Sequence, residues 1–134
     1  MNREPMVLVA DDNEDLVETF AVILKRCGCH VETAGDGPAA VDKYRKRRFD
    51  VALMDIVMPG MNGVEALRRM KEIDPDTTVI LMTGYADAAL MERARDEGVR
   101  YIVHKPVKVE RLIELITEAA DELPISVTND TSEI

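Results

Sequence analysis

Three aspartates, a threonine and a lysine stand at the ends of short apolar runs, and together they form a set that handles phosphate with a divalent metal. Met6-Val7-Leu8-Val9-Ala10 leads into Asp11-Asp12, and Val51-Ala52-Leu53-Met54 into Asp55. Val79-Ile80-Leu81-Met82 leads into Thr83, and Tyr101-Ile102-Val103-His104 into Lys105-Pro106. The carboxylates are hard oxygen ligands with no imidazole or thiolate among them, which favours Mg²⁺ or Mn²⁺ over zinc. Taken alone, an Asp pair after a strand is often only a helix start with its preferred acids. Four pointed strand endings in one chain are a different matter, provided the fold brings them to one edge.

The elements needed to do that are written in the periodicity. Short runs apolar on both faces read as interior strands of a parallel sheet covered by helices. A fifth, more polar strand spans His30 to Ala34. Between the strands lie helical patterns with start and stop signals. Asn13 is a good N-cap for a first helix, whose face carries Leu16, Phe20, Ile23, Leu24 and Cys27 and which Gly28 stops. Gly37-Pro38 opens a second helix, with proline in the first turn where its missing N–H costs nothing. Asn62-Gly63 leads into a third from about Val64 to Ile73, ended by Asp74-Pro75. A fourth runs from about Asp87 to Glu97, with a thin apolar face of Ala88, Met91 and Ala94. A fifth, Val109 to Leu123, spaces Val109, Leu112, Ile113, Ile116, Ala120 and Leu123 on one side. Five strands alternating with five helices call for a doubly wound α/β sandwich. Ligands bind such sheets just beyond the carboxyl ends of the strands, which is where the five residues fall.

The 134 residues form one domain, expected over 1–123, with 124–134 as a disordered polar tail or linker stub. The formal net charge of -9 argues against direct nucleic-acid binding or an anionic membrane surface. No apolar stretch approaches a membrane span and no signal-peptide run precedes the first strand, so the expected location is the cytoplasm. Cys27 and Cys29 are the only cysteines; with no second cluster to complete a zinc site, they read as reduced, buried thiols. Arg45-Lys46-Arg47-Arg48 has the look of a nucleic-acid patch, but it also falls in the last turn of the second helix, where cations complement the dipole. The overall acidity favours the capping role. Met58 and Met61 flank the loop after Asp55, where either packing or a partner surface would use them.

Asp11-Asp12, Asp55 with Met58-Pro59-Gly60-Met61-Asn62-Gly63, Thr83-Gly84 and Lys105-Pro106, in that order, resemble the receiver domain of two-component response regulators from Met6 to about Leu123. The resemblance implies a flavodoxin-like sheet of order 2-1-3-4-5. It implies that Asp55 accepts a phosphoryl group from a sensor histidine kinase, a phosphotransfer protein or a small acyl phosphate. It further implies that Asp11, Asp12, Asp55 and the backbone carbonyl of Val57 hold Mg²⁺, and that the Thr83 hydroxyl and Lys105 ammonium hold phosphoryl oxygens. Such a domain signals to a downstream effector protein or domain, in some cases as a phosphorylation-dependent homodimer, and turns over no substrate beyond its own phosphoryl group. Val57 and Tyr85 would border the path of an attacking water, and neither offers a base to activate it. With no effector pattern after Leu123, the sequence reads as a stand-alone regulator or a receiver cut from a longer chain.

Two positions depart from the family pattern. Three residues before the lysine, where a Tyr or Phe normally couples to the threonine, stands Ile102; the aromatic, Tyr101, comes one residue earlier. A one-residue shift along a strand sends a side chain to the opposite face, so Tyr101 can replace the missing ring only if the strand is bulged. Val107 likewise stands where an aromatic is common. Two other readings compete. A haloacid-dehalogenase-type phosphatase also combines Asp, Thr, Lys and Mg²⁺, but it needs Asp-x-Asp after the first strand, where this chain has Asp11-Asp12-Asn13. A flavodoxin-like flavin binder is disfavoured by the acidic mouth, which would repel a phosphate without metal.

Overall fold

In the computed structural model, which describes residues 4–84 and 88–120, five parallel strands alternate with five helices. The strands are β1 (Met6–Ala10), β2 (His30–Ala34), β3 (Val51–Asp55), β4 (Thr78–Thr83) and β5 (Tyr101–His104). The helices are α1 (Glu14–Arg26), α2 (Gly37–Lys46), α3 (Gly63–Ile73), α4 (Ala88–Asp96) and α5 (Val109–Ala119). The sheet order is β2-β1-β3-β4-β5, the doubly wound order expected from the sequence. Alternation along the strands divides the core in two. Val7, Val9, Leu53, Ile80 and Met82 face α1 and α5, against Phe20, Leu24, Leu112 and Ile116. Leu8, Ala52, Met54 and Leu81 face the other layer, against Val41, Val64, Leu67 and Met70 of α2 and α3. The central strands β1, β3 and β4 are buried almost throughout because both faces are covered.

Apolarity alone misplaces one run. Tyr101–His104 is as apolar as the others, yet β5 lies at the sheet edge and its residues are half-buried or exposed. β2, the polar strand, forms the other edge.

Local chemistry sets the helix starts. Asn13, Asp36 and Asn62 each accept a backbone N–H from three residues on, at 3.2, 2.8 and 2.9 Å, satisfying donors that the first turn leaves unpaired. Gly28 after α1 sits at φ +94°, the left-handed conformation that glycine adopts without penalty. The thin face of α4 is composed differently from the expected one. Ala88 is exposed, and the contact with the core comes from Leu90 and Ala94, one turn apart. The expected start of this helix at Asp87, the end of the last helix at Leu123 and the polar tail lie outside the described residues.

The basic run divides at the helix end. Arg45 and Lys46 close α2 and Arg47 is its C-cap, with Arg48 beyond it. Arg47 turns back to β2, pairing with Glu32 at 2.7 Å. Cys27 and Cys29 are free, buried thiols, and burial is the main cause pushing the Cys29 thiol up to about 12. Met58 is buried and Met61 packs against the α2–α3 layer, so both serve packing. Among the described residues, no helix is long and apolar enough to cross a membrane.

Candidate functional site: an acid cluster bridged by a lysine

Strand register carries the site. Ala10 is level with Met54, so the next residues, Asp11 and Asp55, emerge side by side from adjacent strands. Asp55 is level with Met82 and Thr83 with His104, which places Thr83 and Lys105 at the same edge. The ladder continues one step beyond the strands: the Lys105 N–H donates to the Thr83 carbonyl at 2.8 Å, and the Ile56 N–H to that of Met82 at 2.9 Å.

Asp11 is 1 % exposed and Asp55 8 %, burial that a carboxylate tolerates only with partners. Each has two. Asp11 accepts the Asn13 N–H on Oδ1 at 2.9 Å and the Lys105 ammonium on Oδ2 at 2.6 Å. Asp55 accepts the Val57 N–H on Oδ1 at 3.1 Å and the same ammonium on Oδ2 at 3.0 Å. Asp12 is exposed, and all three aspartates bring one carboxylate oxygen within 4.8 Å of one another. At that separation and an effective dielectric near 20, a pair of carboxylates repels by roughly 3–4 kcal/mol before screening. One ammonium between three acids leaves the cluster short of positive charge. The donor set is all oxygen, it is compact, and it has charge to spare for a hard divalent ion; the residues fit Mg²⁺ or Mn²⁺.

Burial tends to lower the Lys105 pKa, but the hydrogen bonds and charges of Asp11 and Asp55 outweigh it, and the net shift is upward. The lysine therefore stays charged through neutral pH. Thr83 is buried at the end of β4, and Val57 is exposed with its N–H turned toward Asp55. Tyr85, expected beside the water path, lies outside the described residues.

The loop after Asp55 is held by close approaches that periodicity did not reveal. A Cβ at Gly63 would lie 2.6 Å from the Asp55 carbonyl oxygen, and one at Gly37 would lie 2.6 Å from that of Met61. Glycine at 63 lets the start of α3 press against the strand end that carries Asp55, and glycine at 37 lets the start of α2 press against the following loop at Met61. The sequence signal, a glycine just after or beside an N-cap, was visible but ambiguous. Gly60, at φ +77°, takes the left-handed conformation that glycine adopts without penalty.

β5 pairs with β4 in unbroken register from Tyr101 to His104, so no bulge intervenes. Tyr101 packs with the α1–α5 layer, its hydroxyl bonded to Glu118. Ile102 packs with the α2–α3–α4 layer. The aromatic ring is thus on the face away from α4.

Residues 7–117 match the family model described as the response regulator receiver domain, and the chain belongs to that family. It is 38 % identical over 108 residues to a response regulator receiver protein of Anaeromyxobacter sp. (strain Fw109-5), covering 81 % of this chain but 45 % of that relative. The chain thus spans under half the length of that protein. A CheY-like receiver domain from Methanospirillum hungatei JF-1 superposes with a TM-score of 0.87 at 30 % identity, covering 90 % of this chain and 97 % of that one. A response regulator protein from Burkholderia pseudomallei, solved with a phosphorylated aspartic acid, calcium ion and citrate, gives 0.79 at 27 % identity, covering 89 % and 70 %.

The two hydrogen bonds that the Lys105 ammonium donates to Asp11 and Asp55 predict a pH signature. A lysine whose folded pKa is raised contributes stability that is fully present below its unfolded value, about 10.4, and is lost as pH rises through the folded value. Lys105→Met should therefore cost about 2–3 kcal/mol at pH 7, somewhat below the cost of breaking a fully buried pair. The gap from the parent protein should stay constant up to about pH 10 and narrow only beyond it. Urea denaturation across that range measures it, and equal stability at pH 7 would contradict the bridge.

Proposed function

We propose that Asp55 is the phosphoacceptor of a two-component phosphorelay, receiving its phosphoryl group from a histidine kinase, a phosphotransfer protein or a small acyl phosphate. The observation that carries this is the Lys105 ammonium bonded at once to Asp55 and to Asp11. It holds a cation beside a carboxylate that must meet an anionic phosphoryl group. The family membership supports the reading, as does the phosphorylated aspartic acid of the Burkholderia pseudomallei relative.

An Asp55 oxygen attacks phosphorus, the O–P bond of an acyl phosphate (a mixed anhydride) forms, and the donor's P–O or P–N bond breaks with its electron pair leaving on acetate or imidazole. Lys105, already between Asp11 and Asp55, passes one donor to a phosphoryl oxygen while keeping its bond to Asp11. The Thr83 hydroxyl donates to a second oxygen. Asp11, Asp12, Asp55 and the Val57 carbonyl would hold Mg²⁺, which supplies charge neutralisation and in-line orientation when bound. The exposed Val57 side chain offers no base to a hydrolytic water. The phosphorylated domain then engages a downstream effector.

Incubation with acetyl phosphate and Mg²⁺ should add the mass of one phosphoryl group to the parent protein and none to Asp55→Asn. Labelling of the variant at the parent rate would overturn the assignment. Turnover of an aryl phosphate would instead favour the phosphatase reading.

The readout follows from the faces of β5. Since Tyr101 faces α5 and Ile102 is β-branched, with few rotamers and little area to exchange, β5 lacks a ring to swing toward α4. Activation should move α4, held by Leu90 and Ala94, while Tyr101 keeps its contact with Glu118. NMR of the apo and Mg²⁺–beryllofluoride forms should show large backbone shifts across α4 and an unchanged Tyr101 ring. A Tyr101 ring that moves on activation would contradict it.

A further inference from the structure

At the end of the sheet opposite the acid cluster lies a second charged feature, a cleft of about 380 Å³ between the C-terminal ends of α2 and α3. It is lined by the four consecutive cations Arg45 to Arg48, with Ile73 and Asp74 on the facing wall. Capping the helix dipole occupies the final turn and does not account for the whole run. Lys46 pairs with Asp42 at 3.2 Å and Arg47 with Glu32 at 2.7 Å. Arg45 and Arg48 are exposed, and their side chains make no hydrogen bond or ion pair with any described residue. Two unpaired guanidinium groups in one cleft of a chain with net charge -9 are a concentrated exception to its surface.

The neighbouring surface narrows what the cations would hold. Ile73, 39 % exposed, is one of the few exposed large hydrophobic residues among those described, and it stands in this cleft. Tyr44 and Phe49, the aromatic residues of the cleft, are buried and stacked on each other at 5.2 Å, so they offer no free face to a nucleobase. An unpaired arginine fork suits a carboxylate, and an exposed aliphatic side chain suits an apolar one. We propose that this cleft docks an acidic segment of a partner protein, whose carboxylates pair with Arg45 and Arg48 while an apolar side chain rests on Ile73. Phe49 lies two residues before β3, and Asp55 is at the far end of that strand, about 13 Å from its first residue, Val51, at 3.3 Å per residue. The cleft and the acid cluster can therefore be engaged together, and docking is independent of the state of Asp55.

Fluorescence anisotropy at low salt tests this with a labelled peptide of alternating glutamate and leucine, its glutamine analogue, and a single-stranded DNA oligonucleotide of equal charge. The glutamate peptide should bind, and Arg45→Gln with Arg48→Gln should weaken it roughly tenfold, as should added salt. Arg26→Gln with Arg95→Gln, which removes two exposed cations outside the cleft, should leave binding unchanged. Ile73→Ser should weaken the glutamate–leucine peptide, and beryllofluoride should leave its affinity unaltered. Absence of peptide binding, equal binding by the Arg45/Arg48 variant, or tighter binding of the DNA would overturn the proposal.

Discussion

One ammonium group, that of Lys105, stands between two carboxylates drawn from positions 94 and 50 residues away in the chain. Asp11 and Asp55 are almost fully buried, and without this shared cation each would be an uncompensated charge at the edge of an apolar core. The rest of the structure can be read as the apparatus that keeps these three groups in register. Parallel pairing of β1, β3, β4 and β5 ends all four strands at one edge, and the two helical layers bury the strands that must not slip. The same geometry leaves the cluster under-neutralised, because Asp12 adds a third carboxylate and no second ammonium joins it among the described residues. A site built this way holds its acids together at rest and still favours further positive charge.

Much of this was legible because the informative residues coincide with changes of period. An apolar run that stops at Asp11, Asp55, Thr83 or Lys105 marks both the strand end and the reacting group, and Asn13, Asp36 and Asn62 cap helices through short, local bonds that a sequence displays directly. The strand order 2-1-3-4-5 came with the family resemblance, since periodicity does not say which strands are neighbours.

What was hidden depends on contacts between distant segments. The edge position of β5 is not written in its own composition, which matches an interior strand; it came only with the strand order that the family resemblance implies, and the topology bears that order out. In α4 the burial of Leu90 in place of Ala88 is a rotation of the helix about its axis, set by what it packs on. The close approach of Gly63 to Asp55, and the shorter bond of Lys105 to Asp11 than to Asp55, are likewise three-dimensional facts. Tyr101 shows the opposite. Alternation along a strand puts it opposite Ile102 unless the strand is bulged, and the unbroken register of β5 removes that condition.

Three clustered carboxylates carry unrelieved repulsion that Lys105 only partly offsets. The most direct measurement is the melting temperature of the parent protein and of Asp12→Ala, each in chelator and in Mg²⁺. Removing the exposed third acid relieves repulsion and deletes a ligand together. The parent protein should gain melting temperature on adding Mg²⁺. Asp12→Ala should melt above the parent in chelator and lose the response to Mg²⁺. A variant that melts below the parent in chelator would contradict the account, and would assign Asp12 to a structural role at the start of α1.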